Sequence, residues 1–197
     1  MTMRTSGFTL LETLVAVTIL TLAVAGPLYV ADRAAVAAQV SSQQLTASYL
    51  AQEGIEYARS MRDREFLYAY AAGGSNVSQD AWNAFVRGSG GSGEGSIASC
   101  EGQPCTYDGT PGLPMGVGSG RALAACANAN MSSCGPLYLV NGYYAESGAS
   151  NQVTPFTRAI QATLLSANDL KVTTTVFWVN RGTHYAVMVT DNLTPWQ

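Results

Sequence analysis

Residues 8–31 read FTLLETLVAVTILTLAVAGPLYVA, an unbroken apolar run of 24 residues with one ionisable side chain, Glu12. At about 1.5 Å of rise per residue, a helix of this length crosses a hydrocarbon core of roughly 30 Å with some tilt. In lipid every backbone N–H and C=O must be satisfied within the segment, so a single span has to be helical. Arg4 and the starting amine precede the run, and Asp32 and Arg33 follow it. Short positive flanks stay on the cytoplasmic side, which places the rest of the chain outside. An ordinary signal peptide is a poor fit, because its apolar core is only about 7–15 residues and ends at a small-residue cut. A plain signal anchor explains the length but not Glu12. A carboxylate near the bilayer centre costs roughly 3 kcal/mol on insertion scales and marks a functional position by default.

The stretch Gly7-Phe8-Thr9-Leu10-Leu11-Glu12 resembles the type IV prepilin signature. That resemblance implies cleavage after Gly7 by a prepilin peptidase, N-methylation of the new terminus at Phe8, and removal of a 1–7 leader. It also implies a role for Glu12 in assembly, meeting the Phe amine of a neighbouring subunit. The physics agrees: a buried unpaired charge is costly and a paired one is tolerable. Gly26 and Pro27 fall inside the run. Proline removes a helix donor and crowds the preceding turn, so a kink is expected there. The resemblance implies partial unwinding at this point on assembly, with a static kink as the alternative.

Residues 32–72 are rich in Ala, Gln, Leu and Glu and continue the helix. Val36, Val40, Leu45, Tyr49, Ile55, Met61 and Leu67 give it an expected apolar face. Gly54 is a weak helix former and suggests a bend. The cluster Arg59, Arg62, Asp63, Arg64 and Glu65 is short and mixed in sign, and reads as a solvated face. The segment 51–63 resembles the PilV-like minor pilins, as does the order of the last strands.

Residues 73–197 are expected to form a globular head. A short element around Trp82, Phe85 and Val86 is followed by the Gly-rich loop 88–95. Cys100, Cys105, Cys126 and Cys134 lie on the translocated side, where thiols become disulfides. Three pairings are open, and the local pairs Cys100–Cys105 and Cys126–Cys134 are preferred because each closes a small turn-rich loop. The Cys-x4-Cys and Cys-x7-Cys spacings lack the two-residue knuckle of many zinc sites. Further on, Asn141-Gly142 and Asn180-Arg181-Gly182 mark hairpin turns. Period-two alternation runs from Phe156 to Leu164, from Lys171 to Trp178, and through Tyr185, Val187 and Val189. The expected fold is α+β: a long N-terminal helix, membrane-spanning in its first half, packed on a small antiparallel sheet.

Charged residues are only 12% of the chain, against roughly 25% in ordinary soluble domains, and the net charge is −3. That excludes nucleic-acid binding by bulk charge. His184 is the one histidine, neither a G-x-S-x-G elbow nor a P-loop occurs, and no dinucleotide fingerprint occurs in its strand-turn-helix setting. Asp169 and Asp191 read as lone loop carboxylates, and Tyr143, Tyr144 and Trp196 as packing aromatics. No enzymatic activity, cofactor or metal is expected. The resemblance implies a structural subunit of a type IV pilus-like filament, with minor-pilin status favoured. A pseudopilin of a secretion or competence system and a non-polymerising anchored adhesin are the alternatives. Implied partners are other pilin subunits, the prepilin peptidase, the inner-membrane assembly platform, and membrane lipid before assembly. The implied location is the inner membrane, with the N-terminus inside, and then an extracellular or periplasmic filament.

Overall fold

The computed structural model describes residues 9–88, 96–109, 123–146 and 152–195. Gly7 and Phe8, most of the Gly-rich loop and Trp196 lie outside the described residues. The chain divides into two compact units, Met1–Gln43 and Gln44–Gln197. One helix, α1 (Leu10–Ala72), supplies all the described secondary structure of the first unit and opens the second.

In the second unit α1 packs on antiparallel sheets, the α+β arrangement that the alternating strands predict. Its buried positions are Ala47, Leu50, Ala51, Gly54, Ile55, Tyr57, Ala58, Met61 and Glu65. Most recur at three- and four-residue intervals, as one helix face requires. The stripe differs from the expected one. Leu45, Tyr49 and Leu67 are exposed, and Ala and Gly carry the contact instead, because small side chains let the helix lie close to the sheet. Gly54 shows how close: a Cβ there would stand 2.6 Å from Thr174 Cγ2 and 2.7 Å from its Oγ1. The glycine serves close packing rather than a bend, and the helix runs through it without a break.

The main sheet has five strands in the order β2-β1-β6-β7-β8. These are β1 (Cys105–Thr106), β2 (Ala124–Ala125), β6 (Thr157–Ser166), β7 (Asp169–Asn180) and β8 (Thr183–Leu193). A second sheet of three short strands, β3 (Tyr138–Val140), β4 (Tyr143–Ala145) and β5 (Gln152–Val153), has the order β4-β3-β5. Two of the two-residue hairpin loops have positive φ at each position: Asn141 at 50° with Gly142 at 87°, and Arg181 at 48° with Gly182 at 80°. Such turns carry the twist that flanking strands require.

The inward residues Ile160, Ala162, Leu170, Val172 and Leu193 form one core with Ile55, Tyr57, Ala58 and Met61 of α1. Trp82, Phe85 and Val86 of α2 (Val77–Arg87) close it, and the Trp82 indole donates to the Ala167 carbonyl at 2.7 Å. A second core joins Leu50 and Ala51 to Leu137, Phe156, Val176 and Trp178. The sheet's other face is not simply open. Ala159 is buried beneath Cys126 and Cys134, with Met131 and Phe177 alongside. Disulfides join Cys100 to Cys105 and Cys126 to Cys134.

Candidate functional site: the apolar amino-terminal helix

The first turn of α1 is held by Thr9. Its hydroxyl oxygen accepts the Glu12 backbone N–H at 3.3 Å, and its carbonyl accepts from Thr13 N–H at 3.2 Å. Thr9 thus caps the first turn through its side chain, without the reciprocal bond from Glu12 that would complete a capping box, and Glu12 puts an acid in the first turn where the helix dipole favours one. Glu12 is exposed, and its carboxylate has no partner among the described residues.

Three threonine hydroxyls further along the run are satisfied within the helix itself. The hydroxyls of Thr13, Thr18 and Thr21 donate to the carbonyls of Leu10, Val15 and Thr18 at 2.9, 2.8 and 2.9 Å. Backbone acceptors thereby neutralise each hydroxyl, as a lipid-facing segment demands. The large apolar side chains of this stretch point outward, Leu10 at 83% and Leu22 at 75% exposure. The helix is long and apolar enough to cross a membrane, by length and composition. Near the end of the run the Arg33 guanidinium sits 5.2 Å from the Tyr29 ring centroid, an aromatic–cation pair of the kind found where a span leaves lipid.

Gly26 and Pro27 lie within continuous helix. Proline offers no N–H to the Ala23 carbonyl one turn earlier, and a Cβ on Gly26 would meet nothing within 4 Å. Gly26 is therefore not required by any close approach among the described residues.

In the head, the residues singled out for chemistry do not come together. His184 is exposed on β8, opposite Val179. Asp169 opens β7. Asp191 corrects its reading as a lone loop carboxylate: it lies in β8 and accepts from Arg59 at 3.0 Å. The charged cluster 59–65 is likewise not wholly solvated, since Glu65 is only 2% exposed. Tyr143 is exposed, and Tyr144 packs edge-on against Phe156 with centroids 6.0 Å apart.

A charged group that sequence reasoning passed over lies at the centre of the head. Arg158 is fully buried. Its Nη1 donates to Glu53 Oε2 at 3.0 Å, its Nη2 to the Tyr107 carbonyl at 3.2 Å, and its guanidinium lies 4.0 Å from the Tyr107 ring centroid. Tyr107 in turn stacks on Tyr57 at 3.8 Å, and burial raises its phenol pKa. The signal was present: Arg158 occupies an inward position of an alternating strand, between Phe156 and Ile160.

Residues 2–26 match the family described as the prokaryotic N-terminal methylation motif. The match supports placing the chain with the type IV pilins and pseudopilins, a structural rather than catalytic family. Together with the apolar helix it fits a membrane-anchored pilin-like subunit. No curated protein and no solved structure matches the chain.

Proposed function

We propose that this pilin-like chain is a minor subunit of a type IV pilus-like filament, cleaved by prepilin peptidase after Gly7 and N-methylated on Phe8. Glu12 carries the proposal. Thr9 places it in the first helical turn, the hydroxyls around it are committed to backbone, and it remains the one ionisable group of the apolar run. A free amine on Phe8 would supply the opposite charge. Within one subunit both charges would sit in an apolar setting, and pairing between neighbouring subunits relieves both. The outward apolar side chains support the same reading, because surface of that extent requires lipid or other helices around it. Minor status rests on the resemblance of segment 51–63 to PilV-like minor pilins and on the Gly-rich middle of the chain. The inner membrane, with the amino terminus inside, is the proposed site before assembly.

Mass spectrometry of the protein from its native envelope tests this. The expected result is an N-terminal peptide beginning with N-methyl-Phe8, and recovery of the chain in sheared surface filaments at low copy relative to a major subunit. An N-terminus at Met1 on a protein confined to the membrane fraction would overturn it. Retention of the processed chain in a periplasmic secretion apparatus would assign it to a pseudopilus instead.

A further inference from the structure

β8 ends the main sheet, and no described residue pairs with its outer side. Its register with β7 is unbroken from the Asn180–Thr183 pair to the Leu170–Leu193 pair. Asn180 and Thr183 flank the two-residue loop and exchange hydrogen bonds with each other, and such pairs recur at every second position. The odd-numbered residues of β8 therefore turn their N–H and C=O groups to β7. Ala186, Met188 and Thr190 turn theirs to the open side. Sheet edges are ordinarily blunted by lysine, proline, a bulge or a very short strand. From Thr183 to Thr190 the strand reads THYAVMVT and has none of these, whereas β2 at the opposite edge has only two residues. The side chains give a second observation. Tyr185, Val187 and Val189 face α1 but are only partly buried, because the close contact of the helix, Gly54 against Thr174, lies over β7. Beside them a cleft of about 240 Å³ separates Gln52, Ile55 and Arg59 of the helix from Val189 and Asp191 of the strand. An added strand would close the open side of that cleft and complete the burial of the two valines.

We propose that the β8 edge is a seat for strand addition by an extended segment of the neighbouring subunit in the filament, bonded through the backbones of Ala186, Met188 and Thr190. The inference rests on the pilus-subunit reading above and names a contact of that assembly. A row of backbone donors and acceptors at strand spacing is matched by another extended backbone, which fixes the class of occupant. Twofold pairing of β8 with β8 of a second copy would run antiparallel and reverse one head relative to the other. A polar filament instead repeats one orientation, and so needs a heterologous contact between two different surfaces. The incoming segment alternates: its side chains on the α1 side are apolar, to lie against Val187 and Val189, and those on the other side lie beside Ala186, Met188 and Thr190.

The test uses the full chain. In detergent micelles, amide hydrogen exchange should find Ala186, Met188 and Thr190 close to their unprotected rates, and Val187 and Val189 protected. Met188→Pro deletes one outward N–H at a position where an edge strand accepts proline, and Met188→Thr changes the side chain but keeps the N–H. Both variants should retain the near-UV circular dichroism of the wild type and carry N-methyl-Phe8. Recovery of Met188→Pro in sheared filaments should fall at least about fivefold, the effect of one covered carbonyl of the partner strand left unpaired, whereas Met188→Thr should be recovered like the wild type. Ala186→Pro, one outward position away, decides the matter should Met188→Pro misfold. Recovery of folded proline variants equal to the wild type, or protection of the three outward amides in the monomeric micellar chain, would overturn the proposal. So would a wild-type dimer in micelles that Met188→Pro dissolves, which would assign the edge to a second copy. Absence of the wild-type chain itself from filaments would remove the pilus reading and this contact with it, a result distinct from loss of the proline effect alone.

Discussion

Glu53 on α1 and Arg158 on β6 form an ion pair of unequal burial: the carboxylate side chain is 44% exposed and the guanidinium is not exposed at all. The pair ties the helix to the middle of the sheet, and its asymmetry gives removal of the two partners different consequences. Glu53→Ala removes the one carboxylate that is hydrogen-bonded to the buried guanidinium, and should destabilise the head by about 2–3 kcal/mol. Arg158→Met leaves a carboxylate that water can reach. The double variant Glu53→Ala/Arg158→Met should then be more stable than Glu53→Ala alone. Urea unfolding followed by near-UV circular dichroism checks the order, and a double variant weaker than both single ones would contradict it.

Gly54→Ala should cost about 1–3 kcal/mol, the range for overpacking a close contact, although alanine is the better helix former. Thr174 is fully buried and β-branched, so it has little room to give way. Thr174→Ala combined with Gly54→Ala should recover most of the loss. Stabilisation by Gly54→Ala alone, read as a rise in midpoint denaturant, would contradict the packing account.

Stability of the head should fall as pH rises from about 4.5 towards 7 and then level off. Glu146 has its pKa raised to about 7 from an ordinary 4.5. Between these values the folded state holds more protons than the unfolded one, so each step up in pH favours unfolding. The contribution is fully present below the unfolded value and lost on passing the folded one. Thermal melts across this window should show the decline, and Glu146→Gln should flatten it.

The two disulfides should differ in what their loss does. Each closes a short loop, worth about 2 kcal/mol by chain entropy. Cys100 and Cys105 are fully buried in the main core, whereas Cys126 and Cys134 are each 8% exposed over the outer face of the sheet. Mild reductant should open Cys126–Cys134 first, as mass-resolved alkylation would show. Cys126→Ala/Cys134→Ala should cost less stability than Cys100→Ala/Cys105→Ala.

Glu12→Ala should leave cleavage after Gly7 intact and lower recovery in sheared filaments by at least about tenfold, one uncompensated charge at the helix junction. Processed protein would accumulate in the membrane fraction. Unchanged recovery in filaments would remove Glu12 from assembly.

Much of the architecture was readable before any coordinates, for identifiable reasons. The apolar run declares itself by length, and the hairpins by Asn141-Gly142 and Arg181-Gly182, because few residues tolerate positive φ. Strand alternation predicted the inward set Ile160, Val172, Val176 and Trp178. The helix face was harder, since attention to large apolar residues favoured Leu45, Tyr49 and Leu67. The actual contact surface depends on Ala47, Ala51, Gly54 and Ala58, whose small size matters only once a sheet lies against them. The Arg158 cluster was missed because its members are separated by as many as 105 positions. Only the topology brings α1, β1, β4 and β6 to one point. Gly7 and Phe8, the residues of the expected cut, rest on sequence alone.

The threonine hydroxyls of the amino-terminal span give it an unusual indifference to its surroundings. With Thr13, Thr18 and Thr21 turned back on their own carbonyls, no hydrogen bond made by these hydroxyls has to break when the medium around the helix changes from acyl chains to other helices. Those three bonds therefore add nothing to the cost of moving the helix from one apolar environment to the other. In the assembly proposed above, the fate of the Glu12 charge is then what would distinguish the two states.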